Sequence, residues 1–560
     1  MNKKEFKIIL EDNKSNFFYK KNKSNLKITF NRVAFIFFVF FLISLIYSIH
    51  LLHLGSRKSK LTNNFNIVEP LSKLYRADII DVDGNYIGKT INSIDIGISP
   101  SKIIDQKKLI LNLKYIFPDK DYDVVKKRIK AGKFFYFEKK ISEENYEKLM
   151  LLGDKSIEPR DNLIRLYPQK NLFSHIIGQI DNENNGVSGL EKSFDEKLKG
   201  FNQDLKLTVD VNLQYLIREE LIKFQNIFNS SGSAAILMNS KNGEILSLLS
   251  LPDYDLNRRQ KLEDKNLINR ATKGVYELGS VFKTFTYAAG LNEGSINPDT
   301  EFKNLKRKIY CSKFLIGEYD DKIPSNLTAE QILIRSGNIG SVRIAQKVGI
   351  EKFQKFLNDL GIINTLEFDI EEIGSPLKLK WGKCKLATSA YGHGITTTPL
   401  QLAKGYSILS NGGYDIKPTL ILDKKKRNIR YQQIISEDTS NKVNMALRKI
   451  VINKEGTASF ANIQGYEIAG KTGTAQKSVV GGYSKNKINT FASIFPASDP
   501  KYVLIVMLDE PKPNKDYVYE YKDGSGWKIK GTQFNTAGWT TVEVVGKIIE
   551  KIGPILATKY

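Results

Sequence analysis

The chain has 560 residues, which is too many for a single hydrophobic core, so more than one domain is expected. Lys and Arg number 85 against 61 Asp and Glu, which gives a formal net charge of +24. The lysines are scattered rather than clustered, so most should be solvated, and the charge does not predict a nucleic-acid partner.

The N-terminal region predicts a membrane anchor. Residues 1–32 form a polar, basic tail, and residues 33–52 are apolar over about the twenty positions that a membrane-spanning helix needs. The apolar run is too long for a typical signal-peptide core, and no small-residue cleavage site follows it. The sequence therefore predicts an uncleaved anchor. By the positive-inside rule the tail is cytoplasmic and the remainder lies outside the cytoplasm.

Composition divides the remainder into two predicted domains. Residues 53–205 alternate short β-like runs with polar turns and predict an extended, β-rich domain. Residues 206–560 predict a larger α+β domain, in which early and late strands share one antiparallel sheet flanked by helices. Its expected strands are 234–238, 244–249, 468–476, 490–495 and 502–509, and a final helix is expected at 540–555. Residues 511–538 break the periodicity and predict a mobile loop.

The first chemical motif begins at Ser280. Ser280 and Lys283 form an S-x-x-K motif, which also arises by chance elsewhere in this lysine-rich chain, for example at Ser375 and Ser484. Ser280 differs in its context, because Gly279 suits a tight turn and the apolar residues that follow predict a buried helix. The free N–H groups of the first helical turn can stabilise negative charge near the serine. The alternative interpretation of Ser280 is a helix N-cap.

Lys283 is the candidate base for this serine. A spacing of three residues places its amine on the same helix face as the Ser280 hydroxyl, which is a poor nucleophile until a base takes its proton. A lysine can act as that base only if burial or a nearby cation lowers its pKa. Lys471 is the predicted source of such a cation.

Two further motifs follow in the order found in enzymes that open an amide through an active-site serine. Ser336 and Asn338 form S-x-N, a weak signal that is also compatible with a polar loop between helices. Residues 471–474 read K-T-G-T, and K-T-G occurs only once in the chain. Glycine on a strand marks close approach by a backbone or ligand, and a strand edge could pair with an acyl chain. Because side chains alternate, Lys471 and Thr472 can serve one site only at a sheet edge or twist.

Together the motifs resemble those of the class B penicillin-binding proteins, most closely the division-specific peptidoglycan D,D-transpeptidases. The resemblance covers nearly everything after the predicted anchor. Residues 277–280 read ELGS where the family usually has a proline before the glycine, a departure that concerns the turn and not the chemistry. Further blocks that resemble the family are 76–84 (RADIIDVDG), 186–194 (GVSGLEKSF), 207–214 (LTVDVNLQ) and 391–402 (YGHGITTTPLQL).

The resemblance implies a catalytic role for each matching residue. Ser280 would attack the carbonyl between the two D-Ala residues of a donor stem peptide, and Lys283 would accept its proton. Ser336 would relay a proton to the departing D-Ala, and Asn338 would hold the substrate amide. Lys471 would supply positive potential to the relay and to the substrate carboxylate.

The same resemblance implies a substrate site on the K-T-G strand. Thr472 and Thr474 would hydrogen-bond the substrate carboxylate, and Gly473 would belong to the same substrate-binding site. The backbone N–H groups of Ser280 and Thr474 would form the oxyanion hole. An amine on a neighbouring strand would then open the acyl-enzyme and form a crosslink. β-Lactams would acylate the same serine, and no cofactor is implied.

The resemblance further implies a single-pass inner-membrane protein whose catalytic domain is periplasmic. It would work beside an FtsW-type glycosyltransferase and other divisome proteins. Three alternatives remain open: an elongation-type enzyme of the same class, a β-lactam-hydrolysing or β-lactam-sensing protein, and a divisome scaffold with an inert site.

Cysteine and histidine add little. Cys311 and Cys384 could pair in an oxidising compartment, but two cysteines far apart in sequence predict no disulfide framework. The four histidines lack the spacing of metal ligands, and no metal site is predicted. His393 is expected to be a packed or solvent-facing residue near the site.

Overall fold

A computed structural model describes residues 23–56, 75–200, 203–258, 260, 264–312, 314–423, 432–479, 482–521 and 524–560. The chain forms two units, Met1–Pro70 and Leu71–Tyr560. Within the predicted basic tail, residues 1–22 lie outside the described residues, as do residues 57–74 after the anchor.

The first unit contains one long helix, α1, Lys23–Ser56. Its segment Ala34–Leu51 has a mean hydropathy of 2.4 and is long and apolar enough to cross a membrane. This segment coincides with the predicted anchor at 33–52, and the prediction of one N-terminal apolar helix is confirmed. The helix begins earlier than the anchor, within the predicted tail.

The second unit mixes helices and strands. Its helices are α2 Gln106–Ile116, α3 Tyr122–Lys130, α4 Glu143–Met150, α5 Ser174–Ile177, α6 Gly189–Ser193, α7 Asp195–Gly200, α8 Val211–Ile227, α9 Phe282–Asn292, α10 Ala329–Ile334, α11 Asn338–Val348, α12 Ile350–Asp359, α13 Lys383–Ser389, α14 Pro399–Ser410, α15 Glu437–Ile452 and α16 Thr541–Lys559. Its strands are β1 Ile79–Ile80, β2 Tyr86–Ile98, β3 Phe135–Glu138, β4 Ile157–Leu166, β5 Leu205–Lys206, β6 Gly232–Asn239, β7 Ile245–Leu251, β8 Glu301–Phe302, β9 Lys308–Cys311, β10 Phe314–Gly317, β11 Leu327–Thr328, β12 Ala469–Val479, β13 Gly482–Phe495, β14 Tyr502–Asp509, β15 Val518–Glu520 and β16 Lys528–Lys530.

The N-terminal part of this unit is built on a sheet in the order β3-β2-β1-β5, with β4 also paired to β2. Beside it lies a buried ion network: Glu191 accepts from Arg76 at 2.7 Å and from Arg165 at 2.8 Å. All three side chains are almost wholly buried, so each charge depends on its partners. The network joins the start of the first family-like block to the block at 186–194.

The larger sheet has the antiparallel order β12-β13-β14-β6-β7. Pairing of β14 with β6 brings Tyr502 opposite Asn239, so early and late strands share one sheet as predicted. Every residue of β14 is buried, and helices α14 and α16 both contact it. The predicted antiparallel sheet flanked by helices is confirmed, and β12, which carries K-T-G, lies at its edge.

The described residues of the segment 511–538, which are 511–521 and 524–538, include regular structure where the sequence predicted a mobile loop. Strands β15 and β16 pair as a hairpin within this segment. Tyr519 is fully buried, and its hydroxyl donates to the carbonyl of Trp539 at 2.6 Å. Its ring also stacks on Phe460 at 4.8 Å. These strands are too short to give a sequence period, and the aromatic anchors act across distant parts of the chain.

A disulfide joins Cys311 on β9 to Cys384 on α13. Cys311 pairs with Phe314 in the β9–β10 hairpin, so the bond fixes this hairpin to a helix that is distant in sequence. The two cysteines, whose pairing the sequence left open, are thus bonded to each other in the structure.

Replacing both cysteines by serine is expected to destabilise this region. The disulfide spans a separation of 73 residues, and a loop of that size corresponds to roughly 4 kcal/mol of unfolding free energy in the chain-entropy model. Urea unfolding of residues 71–560, with and without a reductant, measures the effect. Reductant should lower the midpoint of the wild type and leave the double variant unchanged, and a wild type insensitive to reductant would contradict the prediction.

Candidate active site

Ser280 lies in a short 3-10 turn, Gly279–Val281, immediately before α9. Gly279 has φ of 64°, a left-handed conformation that glycine adopts without strain. The edge strand β12 packs directly on this turn: a Cβ atom at Gly473 would lie 2.2 Å from the carbonyl oxygen of Leu278. The close approach expected of a glycine on this strand is thus made by the backbone beside Ser280.

Lys283 lies in the first turn of α9 and is 1% exposed. Its Nζ donates to the carbonyl oxygen of Ser336 at 2.5 Å and to the Ser336 hydroxyl at 3.1 Å. Among the described residues, its hydrogen bonds go to Ser336 and not to the Ser280 hydroxyl. The amine of Lys283 is therefore held by Ser336 of the second motif. Lys283 itself lies about one helical turn after Ser280, the serine that it was predicted to activate.

Ser336 has an unusual backbone conformation. Helix α10 ends with hydrogen bonds from Ser336 N to the Leu333 carbonyl at 3.1 Å and from Gly337 N to the Ile332 carbonyl at 2.9 Å. This Schellman pattern places Ser336 at φ of 55°, where glycine is usual. A serine in this conformation costs roughly 1 kcal/mol of stability relative to glycine. What serine adds over glycine at this position is a hydroxyl group.

Lys471 on β12 approaches the same hydroxyl from the other side. It is fully buried, and its Nζ donates to Ser336 Oγ at 2.9 Å and to the Thr472 carbonyl at 3.1 Å. The hydroxyls of Thr472 and Thr457 are 2.7 Å apart. Parts of all three sequence motifs therefore converge on one hydroxyl group.

The two amines share a dry environment that disfavours charge. Burial lowers the pKa of Lys283 to about 7, against the opposing effect of the Glu318 carboxylate. Burial and the neighbouring Lys283 cation hold the pKa of Lys471 well below its usual range. Both amines contact the same hydroxyl, and a positive charge on Lys283 disfavours one on Lys471. The arrangement therefore disfavours two cations side by side.

Asn338 is the first residue of α11, and upstream residues fix it. Its side-chain Nδ2 donates to the Gly317 carbonyl at 2.7 Å, and its backbone N–H donates to Glu318 Oε2 at 2.6 Å. Sequence reasoning missed both partners, because they lie twenty-one and twenty residues before Asn338 and form no motif with it.

Other contacts define the rim of the site. Thr474 Oγ1 accepts from the backbone of Ala537 at 2.9 Å, at the end of the segment predicted to be mobile. Glu277, which sequence reasoning did not select, accepts from the Tyr483 hydroxyl at 2.9 Å and from Gly394 N at 2.8 Å.

His393 lies beside this rim with 45% of its side chain exposed, and its ring lies 4.8 Å from that of Tyr483. The sequence predicted a packed or solvent-facing histidine near the site, and His393 is partly exposed there. Over the ranges that the structure describes, no group of three or more His, Cys, Asp or Glu could hold a metal ion.

Two family descriptions match this chain. Residues 233–525 match "Penicillin binding protein transpeptidase domain", and residues 72–223 match "Penicillin-binding Protein dimerisation domain". The first match contains every residue of the three motifs and spans more than half of the chain.

Curated relatives extend over both regions. "Probable peptidoglycan D,D-transpeptidase FtsI" of Caulobacter vibrioides is 27% identical, with 86% of this chain and 82% of the relative covered. "Stage V sporulation protein D" of Bacillus subtilis is 31% identical, with 74% and 70% covered. "Peptidoglycan D,D-transpeptidase FtsI" of Buchnera aphidicola subsp. Baizongia pistaciae is 30% identical, with 74% and 80% covered. From these matches, the chain belongs to the class B penicillin-binding proteins, and it is an acyl-transfer enzyme of the peptidoglycan D,D-transpeptidase kind.

Proposed function

We propose that the protein crosslinks peptidoglycan stem peptides during septal wall synthesis, through an acyl-enzyme on Ser280. The observation that carries this proposal is the Ser336 hydroxyl, which accepts hydrogen bonds from two buried lysine amines. Acylation of a serine by an amide requires a base that takes the serine proton and an acid that gives a proton to the departing nitrogen. The names of two relatives, FtsI, support the septal role.

In the proposed first step, Ser280 Oγ attacks the carbonyl carbon of the penultimate D-Ala, and neutral Lys283 takes the hydroxyl proton. The tetrahedral oxyanion is stabilised by the backbone N–H groups of Ser280 and Thr474. Ser336 passes a proton to the nitrogen of the departing D-Ala, and the Ser336 hydroxyl is reprotonated from the amine pair that surrounds it. The products are an ester on Ser280 and free D-Ala.

In the proposed second step, an amine of a neighbouring strand attacks the ester carbonyl carbon. The new amide bond replaces the ester bond, and the proton of the amine passes to the Ser280 oxygen, which restores the hydroxyl. Asn338 holds the donor amide in both steps. In the first step, Thr472 and Thr474 on the edge strand hydrogen-bond the carboxylate of the terminal D-Ala, Gly473 lies between them in the same substrate site, and Lys471, when protonated, provides positive charge nearby. A β-lactam acylates Ser280 in the same way. Because its amide is cyclic, the departing nitrogen stays covalently attached to the acyl group.

We further propose a single-pass inner-membrane protein with a cytoplasmic N-terminus, residues 53–205 as a non-catalytic pedestal, and residues 206–560 as a periplasmic transpeptidase domain. Support comes from the apolar segment Ala34–Leu51 and from the disulfide, which is typical of an oxidising compartment. An FtsW-type glycosyltransferase and other divisome proteins are the proposed partners.

Replacing Ser280 by Ala is expected to abolish covalent labelling of the purified exported part by a fluorescent penicillin, because the attacking oxygen is lost. Ser375→Ala is the matched control: Ser375 also begins an S-x-x-K match, is exposed, and hydrogen-bonds to Thr365 at 2.8 Å. Gel fluorescence, followed over hours, measures both formation and loss of the label.

The alternatives predict other patterns in the same experiment. Rapid loss of the label would support a β-lactam-hydrolysing protein, and no label on the wild type would support an inert scaffold. Label that persists on Ser280→Ala would exclude Ser280 as the nucleophile.

The rate of penicillin acylation is expected to rise with pH and to be half-maximal near the Lys283 pKa of about 7. Only the neutral amine can accept the serine proton, so the rate falls below this pH as the amine becomes protonated. Stopped-flow measurement of acylation across roughly two pH units on either side tests this. Lys283→Arg should remove the titration together with most of the rate. A wild-type rate that does not change with pH would contradict a lysine base.

Cells that depend on Ser280→Ala in place of the wild type are expected to grow as filaments without completed septa, since crosslinking would fail at the division site. Microscopy, with immunoblots to confirm equal protein levels, distinguishes this from the swollen or rounded cells expected of an elongation-type enzyme. Normal division would contradict a required catalytic role.

A further inference from the structure

Helix α11 lacks a capping side chain of its own. Its N-cap residue is Gly337, which makes no side-chain hydrogen bond. Instead, the Glu318 carboxylate accepts from Asn338 N at 2.6 Å and from Ile339 N at 2.8 Å. A carboxylate at a helix N-terminus is favoured both by these charged hydrogen bonds and by the helix dipole. Glu318 thus fixes the start of the helix that carries Asn338.

Residues 317–319, which we call the strap, hold the S-x-N loop at two more points. The Gly317 carbonyl accepts from the side chain of Asn338 at 2.7 Å. On the other side of Glu318, the Tyr319 hydroxyl donates to the carbonyl of Arg335 at 2.9 Å. The strap therefore contacts residues on both sides of Ser336.

The strap is itself firmly anchored. Its first residue, Gly317, is the last residue of β10 and pairs with Lys308 of β9. The far end of that hairpin is joined to α13 by the disulfide between Cys311 and Cys384. Glu318 is thus presented by a crosslinked element, and small changes in side-chain length should not be absorbed by movement of the backbone.

Glu318 also acts on the catalytic amines. The field of its carboxylate favours the protonated form of Lys283 and so opposes the effect of burial on the Lys283 pKa. Among the described residues, the other groups that face this amine are Lys471, across the shared hydroxyl, and the ring of Tyr319, whose centroid is 5.9 Å from Lys283 Nζ. Glu318 is therefore the carboxylate whose negative charge acts on Lys283.

We propose that Glu318 is a positioning residue for acylation, which holds Asn338 through the start of α11 and acts on Lys283 through its negative charge. This inference rests on the proposed function, because it assigns Glu318 a part in the reaction of Ser280. Glu318 touches neither the substrate nor the reacting atoms in this scheme. It acts through Asn338 and Lys283.

The test measures penicillin acylation against pH for wild type, Glu318→Gln and Glu318→Asp. Glu318→Gln keeps the shape and loses the charge. Its maximal rate should fall roughly tenfold or more, the size of one charge-assisted hydrogen bond. Because the charge that favours protonated Lys283 is gone, its half-maximal rate should lie at lower pH than in the wild type. Glu318→Asp keeps the charge but not the reach, so its rate should fall with little change in the half-maximal pH.

Asp321→Asn is the matched control. It makes the same change in charge three residues away, at a side chain that is 95% exposed and paired with Arg307 at 2.9 Å. It should retain the wild-type rate and half-maximal pH. Each rate constant is normalised to the fraction of protein that becomes acylated, so that unfolded protein in a preparation does not lower it. Thermal unfolding of each variant shows separately whether the substitution changes stability.

Two results would overturn the proposal: a Glu318→Gln variant that matches the wild type, or one that is slower by the same factor at every pH, which marks a purely structural role. If Glu318→Gln yields no folded protein, a wild-type maximal rate in Glu318→Asp overturns the positioning role by itself. Failure of the wild type to be labelled at Ser280 would instead overturn the proposed function.

Discussion

The site depends on one interaction: two buried lysine amines, those of Lys283 and Lys471, both donate a hydrogen bond to the hydroxyl of Ser336. Removing an ammonium group from water costs several kcal/mol, so each amine needs close acceptors. Lys283 finds them in the carbonyl and hydroxyl of Ser336, and Lys471 finds them in the same hydroxyl and in the carbonyl of Thr472. These groups come from three distant segments. A helix, a loop and an edge strand must therefore pack together before either amine is satisfied, and this packing also lowers both pKa values.

The strained turn at Ser336 follows from the same constraint. A hydroxyl can accept from both amines only if it points into the space between α9 and β12, and the Schellman end of α10 provides that direction at φ of 55°. Glycine would relieve the strain but would leave both amines without their common acceptor. The strained backbone at Ser336 lowers the local stability, but it places an acceptor for the hydrogen bonds of Lys283 and Lys471. Backbone strain of this kind is found at functional sites.

Sequence alone predicted the features that depend on local patterns. The sheet and its final strand 502–509 followed from runs of apolar residues, and the three motifs followed from residue identities in a fixed order. Features that depend on distant partners were missed. Glu318 belongs to no motif. Tyr519 is buried through contacts with Phe460, which is distant in sequence, and with Trp539, which follows an irregular segment. Likewise, Cys311 and Cys384 are brought together only by the folded hairpin and α13.

The contacts of two carboxylates bear on which group would act as the base in the proposed scheme. Removing a proton from serine, or from water that attacks a serine ester, requires a base beside the oxygen concerned. The oxygens of Glu318 accept from the backbone at the start of α11, and those of Glu277 accept from Tyr483 and Gly394. Both carboxylates thus serve as acceptors for groups that shape the site. The buried amine of Lys283, whose pKa is lowered to about 7, is the group that the proposed scheme uses as the base.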